Sequence, residues 1–258
     1  MAWDSVEGFE GLVEEVFEDL DDHAELVDER LEDIPEGETM PESEDMRIHD
    51  AKEFRLGIVF IDINDFSEYA SDNPDKDVLF MLNVFIPKAM ELVREMDGAF
   101  EKNTGDGILA YFGAEDDNEG IAEGVLFYYF MIQLLLHAGV NPVLKEYDIE
   151  TISISAAAAL GNTYISRIGI HSLNRRTAVS TTANVASELE DFAGTNQYYV
   201  NQGIHQYSDT EDGFGAFLEE AGELDGYRWG SDSSGWTSPS RYYEFPNVGL
   251  DIYEEAMS

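Results

Sequence analysis

The run Leu56–Ile63 (LGIVFIDI) constrains the fold of this chain more than any other segment. Apart from Asp62 its residues are apolar or glycine, whereas a strand with one solvent-exposed face alternates apolar and polar residues. The run therefore predicts a strand that is buried on both faces, inside a sheet that helices cover.

The segments after this strand alternate between helical and strand patterns. Their order is strand, helix, hairpin, helix, strand, which predicts an α+β sandwich with helices on one face of the sheet. The predicted helices are Val78–Met96, bent at Pro87, then Ile121–His137, and Ala183–Phe192 with Thr181 or Thr182 as its cap. The predicted strands are a hairpin within Phe100–Phe112, two strands Ile149–Leu160 and Thr163–Ile170 around Gly161-Asn162, and Gln197–Val200.

The two ends of the chain differ from this middle part. Apolar residues recur about every seven positions over residues 4 to 33, which predicts one amphipathic helix that either packs on its own domain or dimerises. Pro35 and Gly37 end this helix. We therefore divide the chain into a helix over 1–33, a linker over 34–54, a main domain over 55–205, and a Gly-rich, aromatic extension over 206–258 that packs on the domain.

The charge of the chain excludes several kinds of partner. It carries 14 basic and 55 acidic residues, a net charge of −41, and no cysteine. It lacks a basic surface that could release phosphate counterions, so we expect no nucleic-acid partner and no anionic membrane partner. Acidic residues spread over the whole chain predict a halophilic source. The longest apolar stretch, Val125–Leu136, is shorter than the roughly 18 residues that span a bilayer, so we expect a cytoplasmic protein.

Two aspartates stand where the predicted strands end. Asp62 lies at the end of the buried strand, and Asp106 lies between Gly105 and Gly107 at the tip of the hairpin. If the buried strand pairs beside the hairpin, the two carboxylates converge. Two hard oxygen ligands with open positions suit Mg²⁺ or Mn²⁺ held together with substrate phosphates. Taken singly, each aspartate has the simpler interpretation of a strand-end or turn residue.

Three segments around these aspartates resemble the signature blocks of class III nucleotidyl cyclases. They are G-I-V-F-I-D-I-N-D-F, F-E-K-N-T-G-D-G-I-L-A-Y-F-G and T-A-V-S-T-T-A-N-V-A-S-E-L-E, and the resemblance covers roughly residues 55–205. It implies a ferredoxin-like βαββαβ core that works as a head-to-tail homodimer with active sites at the subunit interface. It also implies two divalent metal ions, held by Asp62, Asp106 and the backbone carbonyl of Ile63.

The same resemblance assigns further residues to the substrate. The partner subunit would supply Lys102 and Thr177 to the base and Asn184 to the ribose, although Asn184 could instead be a helix cap. Backbone amides at the start of a helix can hold the triphosphate, and here they belong to Asn64, Asp65, Phe66 and Ser67. One position departs from the family. Glu188 stands where an arginine usually stabilises the transition state, and Arg167, Arg175 and Arg176 are the candidate replacements.

Within the family, E-K-N-T-G-D-G, A-N-V-A-S and the aromatic tail resemble the stand-alone pyrimidine cyclases of Pycsar antiphage systems. That resemblance implies UTP or CTP as substrate, with UTP preferred, and a separate effector protein that recognises the cyclic nucleotide. Three alternatives stay open. The chain could be an adenylate cyclase making cyclic AMP, or a degenerate cyclase-like dimer that binds a nucleotide without turnover. It could also be a nuclease or polymerase-like palm domain, which the scarcity of basic residues disfavours.

The charge also generates a prediction about stability. Repulsion among 55 acidic residues is screened at high ionic strength, where the Debye length falls to about 3 Å at 1 M salt. The midpoint of thermal unfolding should therefore rise from low to molar KCl. A midpoint that does not change with KCl would mean that the acidic residues are neutralised locally, and would contradict the halophilic interpretation.

Overall fold

The computed structural model describes residues 51–247 apart from 104, 114–115, 171–172 and 233–234, together with positions 11, 17–18, 20–22 and 24–25. Eight strands of the described part form one sheet. The strands are β1 (Ala51–Ile63), β2 (Ala99–Asn103), β3 (Ile108–Phe112), β4 (Ile154–Ile170), β5 (Leu173–Val179), β6 (Tyr198–Asn201), β7 (Glu219–Asp232) and β8 (Gly235–Glu244). The α-helices are α1 (Phe66–Asp72), α2 (Asp75–Glu95), α3 (Asn118–Leu134), α4 (Asn141–Glu146), α5 (Thr181–Phe192) and α6 (Gln202–Tyr207).

The centre of the sheet has the order β2-β3-β1-β4, continued by β6, β8 and β7, while β5 pairs with β4. All these pairs are antiparallel except β4 with β6. With α2 between β1 and β2, and α3 between β3 and β4, the first four strands make a βαββαβ unit. The predicted ferredoxin-like α+β fold is confirmed.

Strand β1 is buried on both faces, and this burial follows from helices on both sides of the sheet. Val59 and Ile61 belong to the core beneath α2 and α3, whereas Ile58 packs in a second core with Val185 and Leu189 of α5. The expectation of helices on one face only is therefore wrong. The second layer, α5, places its own residues directly over the centre of the sheet.

Strand β4 runs without a break through Gly161-Asn162, so the two strands predicted around that pair are wrong. Gly161 and Asn162 pair with Leu56 and Arg55 of β1. A Cβ atom at Gly161 would lie 2.3 Å from Oγ1 of Thr182, so the glycine serves close packing of α5 on the sheet rather than a turn. The length of β4 also explains why β1 already begins at Ala51, inside the segment assigned to the linker.

Helix α3 continues through a π-helix (Leu135–Val140) into α4, which gives a longer helical run than the sequence predicts. By length and composition, Asn118–Glu146 is the one candidate membrane span in the described residues, and 78% of its apolar window is buried inside the domain. Tyr128 and Tyr129 are fully buried, and the Tyr129 hydroxyl donates to the carbonyl oxygen of Tyr199 on β6. These contacts are those of a core helix.

Both terminal segments contact the domain where they are described. Leu20 and Ala24 are buried, and a Cβ atom at Gly139 would lie 2.8 Å from Leu20. In the C-terminal extension, β8 pairs with β6 and so lengthens the main sheet. Tyr243 stacks on His205 with ring centroids 3.8 Å apart, while the side chains of Trp229 and Trp236 lie outside the described residues.

Two glycines of the core provide a matched test of this packing. A Cβ atom at Gly57 would lie 2.6 Å from Cγ2 of Val125, so Gly57→Ala should destabilise the fold by about 1–3 kcal/mol through overpacking. Apart from its chain neighbours and the nearby backbone of its own helix, no atom lies within 4 Å of a Cβ atom at Gly124. Because alanine is a better helix former than glycine, Gly124→Ala should stabilise the fold by about 1 kcal/mol. Urea unfolding at fixed KCl concentration measures the change in the free energy of unfolding for each substitution. Equal effects of the two substitutions would contradict the described packing of α3 on β1.

Candidate functional site

The structure brings Asp62 and Asp106 together at one end of β1. Antiparallel pairing of Ile61 with Ile108 places the end of β1 beside the hairpin that carries Asp106. Burial raises the pKa of Asp62, and the negative charge of Asp106 raises it further. The hydrogen bond from the backbone amide of Ile63 lowers this pKa, and the net result is a pKa of about 6. The two carboxylates therefore repel each other in a partly desolvated place.

Glu190, in the last turn of α5, is a third acidic residue at this place. Burial, followed by the charges of Asp62, Asp191 and Asp106, raises the pKa of Glu190 to about 7. Sequence reasoning misses Glu190, since only the packing of α5 across β1 shows that it faces the aspartates. No group of three or more His, Asp or Glu residues within the described parts of the chain has the spacing of a metal site.

The donor chemistry of the aspartate pair fits a divalent cation. Asp62 and Asp106 offer hard carboxylate oxygens and leave other coordination positions for substrate, an arrangement that suits Mg²⁺ or Mn²⁺. A cation between them would also relieve the repulsion that raises the pKa of Asp62. The backbone carbonyl of Ile63 follows directly along the same strand.

The predicted phosphate segment forms the turn after β1 and the start of α1. The backbone amide of Asn64 donates to the carbonyl oxygen of Ser153, and its side chain donates to Ser155 Oγ at 3.1 Å. The amide of Asn64 is therefore engaged within the domain. Asp65 has the left-handed φ of 53° and makes no side-chain cap. Asp65 and Ser67 are exposed, and the helix begins at Phe66, so these three residues form the start of α1 as predicted for the phosphate segment.

A cavity of about 190 Å³ lies on the sheet face that α5 covers. Thr177 and Asn184 both line it, so the structure brings these two predicted substrate residues together. The side chain of Lys102 lies outside the described residues, but its backbone pairs with Leu109, which also lines the cavity. The complete lining is Ile58, Phe60, Glu101, Leu109, Tyr111, Thr177, Ala178, Ala183, Asn184 and Ser187.

Helix α5 connects this cavity to the aspartate pair. Asn184 lines the cavity and Glu190 faces the aspartates, six residues or about 9 Å further along the helix. Neither Asp62 nor Asp106 lines the cavity. Within one protomer, the residues predicted to hold metal and those predicted to hold base and ribose thus form two neighbouring but separate groups.

The cap of α5 differs from the prediction. The side chain of Ser180, not that of Thr181 or Thr182, accepts a hydrogen bond from the backbone amide of Ala183 at 2.9 Å. Thr182 instead donates to the carbonyl oxygen of Asn162 at 3.2 Å. Because Ser180 caps the helix, the alternative of a capping role for Asn184 is wrong, and the exposed Asn184 side chain stands at the cavity.

Glu188, at the position where cyclases usually carry arginine, contacts the C-terminal extension. The hydroxyl of Tyr227 on β7 donates to the Glu188 carboxylate, and burial, this hydrogen bond and the charge of Glu188 raise the pKa of Tyr227. The side chains of the candidate replacements Arg167, Arg175 and Arg176 lie outside the described residues.

The repulsion at the aspartate pair generates a prediction. Because the folded-state pKa of Asp62 is raised from 3.8 to about 6, its contribution to stability falls as pH rises from about 4 through 6. In EDTA at pH 8, Asp62→Asn should therefore raise the midpoint of thermal unfolding, and the gain should disappear below about pH 4. The exposed Asp225→Asn, with the same change in net charge, is the control. An Asp62→Asn midpoint no higher than that of the control would contradict the described geometry.

Comparisons with known proteins bear on the fold of the chain. No family model matches the chain. A cytidylate cyclase of Staphylococcus aureus is 24% identical over 160 residues, which cover 58% of this chain and 37% of that protein. The chain thus matches little more than a third of that relative's length.

Solved cyclase structures match most of the described domain. The adenylyl cyclase CyaB from P. aeruginosa has a TM-score of 0.63 at 15% identity, over 76% of this chain and 95% of that chain. The guanylyl cyclase Cya2 has a TM-score of 0.61 at 17% identity, over 77% of this chain and 93% of that chain. The chain therefore has the fold of a class III nucleotidyl cyclase domain.

Proposed function

We propose that this chain is a metal-dependent nucleotidyl cyclase that converts a pyrimidine ribonucleoside triphosphate to its 3′,5′-cyclic monophosphate and pyrophosphate. The observation that carries the proposal is the convergence of Asp62 and Asp106 at the end of β1 in a cyclase fold. The similarity to a cytidylate cyclase supports a pyrimidine substrate.

In this proposal Asp62, Asp106 and the carbonyl oxygen of Ile63 hold two divalent ions, Mg²⁺ or Mn²⁺. When bound, such ions lower the pKa of a hydroxyl and neutralise charge on a triphosphate. With a pKa of about 6, Asp62 is mostly ionised at neutral pH, so little proton release is needed there before it binds a cation. The amides of Asp65, Phe66 and Ser67 stand next to this position and orient the phosphates.

The other substrate contacts come from the cavity. Asn184 orients the ribose, and Lys102 and Thr177 contact the base. The resemblance to class III cyclases implies a head-to-tail homodimer, in which the aspartates of one copy and the cavity of the other would complete each site.

The remaining details are predictions that the resemblance carries. UTP as the preferred substrate, a role in antiphage defence, a separate effector of the cyclic nucleotide and a cytoplasmic location belong here. The adenylate cyclase alternative differs only in the base. The choices among UTP, CTP and ATP share the same aspartate chemistry, so one assay of products distinguishes them.

Glu188 favours a second candidate function, nucleotide binding without turnover. A carboxylate engaged by Tyr227 cannot stabilise negative charge on a phosphate undergoing attack. The two candidates differ in one observable. Both bind nucleotide and metal, but only the cyclase releases a cyclic product.

The first test is product analysis in molar KCl with Mn²⁺ and each of the four ribonucleoside triphosphates. The wild type should release a cyclic pyrimidine nucleotide. Asp106→Ala should lower the rate at least about 100-fold, because it removes one of the two carboxylates proposed to hold the metal ions. The exposed Asp225→Ala should behave as wild type. Near-wild-type turnover by Asp106→Ala would refute the proposal, whereas nucleotide binding by the wild type without product would select the second candidate.

A mixing experiment tests the shared site. Asp106→Ala and Asn184→Ala should each be inactive, but mixed dimers contain one site with neither substitution. Equal mixing and subunit exchange should restore roughly a quarter of the wild-type rate, since half of the dimers are mixed and each has one intact site. If the mixture stays as inactive as its components, each site is formed within a single chain.

A further inference from the structure

The side chain of Asn64 connects the end of β1 to two other elements of the domain. Its amide group donates to Oγ of Ser155 on β4 at 3.1 Å. Its Oδ1 atom accepts from the backbone amide of Asn196, in the loop between α5 and β6, at 3.4 Å. The same Asn196 amide also donates to the carbonyl oxygen of Ile154 at 3.0 Å. Both polar groups of the Asn64 side chain therefore have partners within the domain.

These partners lie opposite the residues proposed to hold metal. In the antiparallel pairing of β1 with β4, Ser155 is the partner of Asp62, and Ile154 is the partner of Ile63. Asn64 follows Ile63 directly in the chain. Its side chain thus binds the residue opposite Asp62 and shares an amide donor with the residue opposite Ile63. The hydrogen bonds of this one side chain are concentrated at the two positions whose oxygens would coordinate a cation.

The end of β1 needs a restraint of this kind, because like charges act on it. Asp62 lies near the negative charges of Asp106 and Glu190, and without a cation their repulsion favours conformations in which the carboxylates move apart. The turn that follows is short. Two residues separate Ile63 from α1, and one of them, Asp65, has the left-handed φ of 53°. Metal ligands must be held within about 0.5 Å of their productive geometry, so a shift of this strand end would weaken cation binding.

We propose that Asn64 is a positioning residue of the metal site, whose side chain holds Asp62 and the carbonyl oxygen of Ile63 in the geometry that a divalent cation needs. This inference rests on the metal-dependent activity proposed above. It gives Asn64 a role through its side chain, since its backbone amide is bound to the carbonyl oxygen of Ser153. Residues that orient metal ligands typically contribute roughly 10- to 100-fold to metal affinity or activity.

The test is calorimetric titration of the full chain with Mn²⁺ in molar KCl, without nucleotide and well below the unfolding temperature. Asn64→Ala should raise the Kd for Mn²⁺ roughly tenfold. The matched control is Asn73→Ala, at the other end of α1. The Asn73 side chain donates to the carbonyl oxygen of Tyr69 and to Oε2 of Glu150, so the control also removes two hydrogen bonds of an asparagine that ends this helix. The Kd of the control should equal that of the wild type.

A double-substitution cycle separates positioning from a general loss of stability. Asn64 and Ser155 share one hydrogen bond, so Ser155→Ala should weaken Mn²⁺ binding less in the Asn64→Ala background than in the wild type. A general loss of stability would instead lower the unfolding midpoint in EDTA and leave the Kd of the folded protein unchanged. The Kd and the midpoint are therefore measured for all four proteins of the cycle.

Each other outcome has a defined meaning. A Kd that is unchanged in Asn64→Ala, or raised equally by Asn73→Ala, overturns the role of Asn64 while the proposed cyclase activity stands. Strictly additive effects of Asn64→Ala and Ser155→Ala also overturn it. If Asn64→Ala does not fold, Ser155→Ala alone serves as the test, and an unchanged Kd in that variant overturns the inference. A wild type that binds no Mn²⁺ refutes the metal site and, with it, the proposed function.

Discussion

The mutual repulsion of Asp62 and Asp106 is the interaction on which the account of this protein depends. A buried strand that ends in a carboxylate, placed beside a hairpin that presents another, is unfavourable unless a cation joins them. The approach of Glu190 along α5 adds to the same negative potential. Three acidic groups thus approach one point in a chain of net charge −41, and the proposed divalent ions would offset their repulsion.

The burial of β1 on both faces organises the remainder of the structure. Helices α2 and α3 cover one face, and α5 covers the other, so α5 passes over the strand whose end carries Asp62. Gly161 permits that close approach through its contact with Thr182. The same helix borders the cavity at Asn184 and approaches the aspartates at Glu190, so α5 lies beside both groups of residues.

Local patterns predict much of this arrangement. The apolar run Leu56–Ile63, the hairpin with Gly105 and Gly107, and the long apolar helix all appear as expected, because each depends on residues close in sequence. The continuous β4 was not predictable, since its glycine meets Thr182 only after α5 folds back onto the sheet. Glu190 and the irregular pairing of β2 between Phe100 and Lys102 escape prediction for the same reason, because they depend on register and packing between distant segments. The Ser180 cap is local, but three adjacent hydroxyl residues, Ser180, Thr181 and Thr182, are all suitable caps.

The central claim, that Asp62 and Asp106 together bind a divalent cation, can be tested directly by calorimetric titration with Mn²⁺ in molar KCl. Repeating the titration in buffers of different ionisation enthalpy gives the number of protons released. Raised pKa values of about 6 for Asp62 and about 7 for Glu190 predict that binding at pH 6 releases about half a proton from Asp62 and a further fraction from Glu190, and that almost no proton is released at pH 8. In Asp62→Asn both the binding heat and the proton release should be lost. Saturable binding that is unchanged in Asp62→Asn, or proton release that does not vary with pH, would contradict the account.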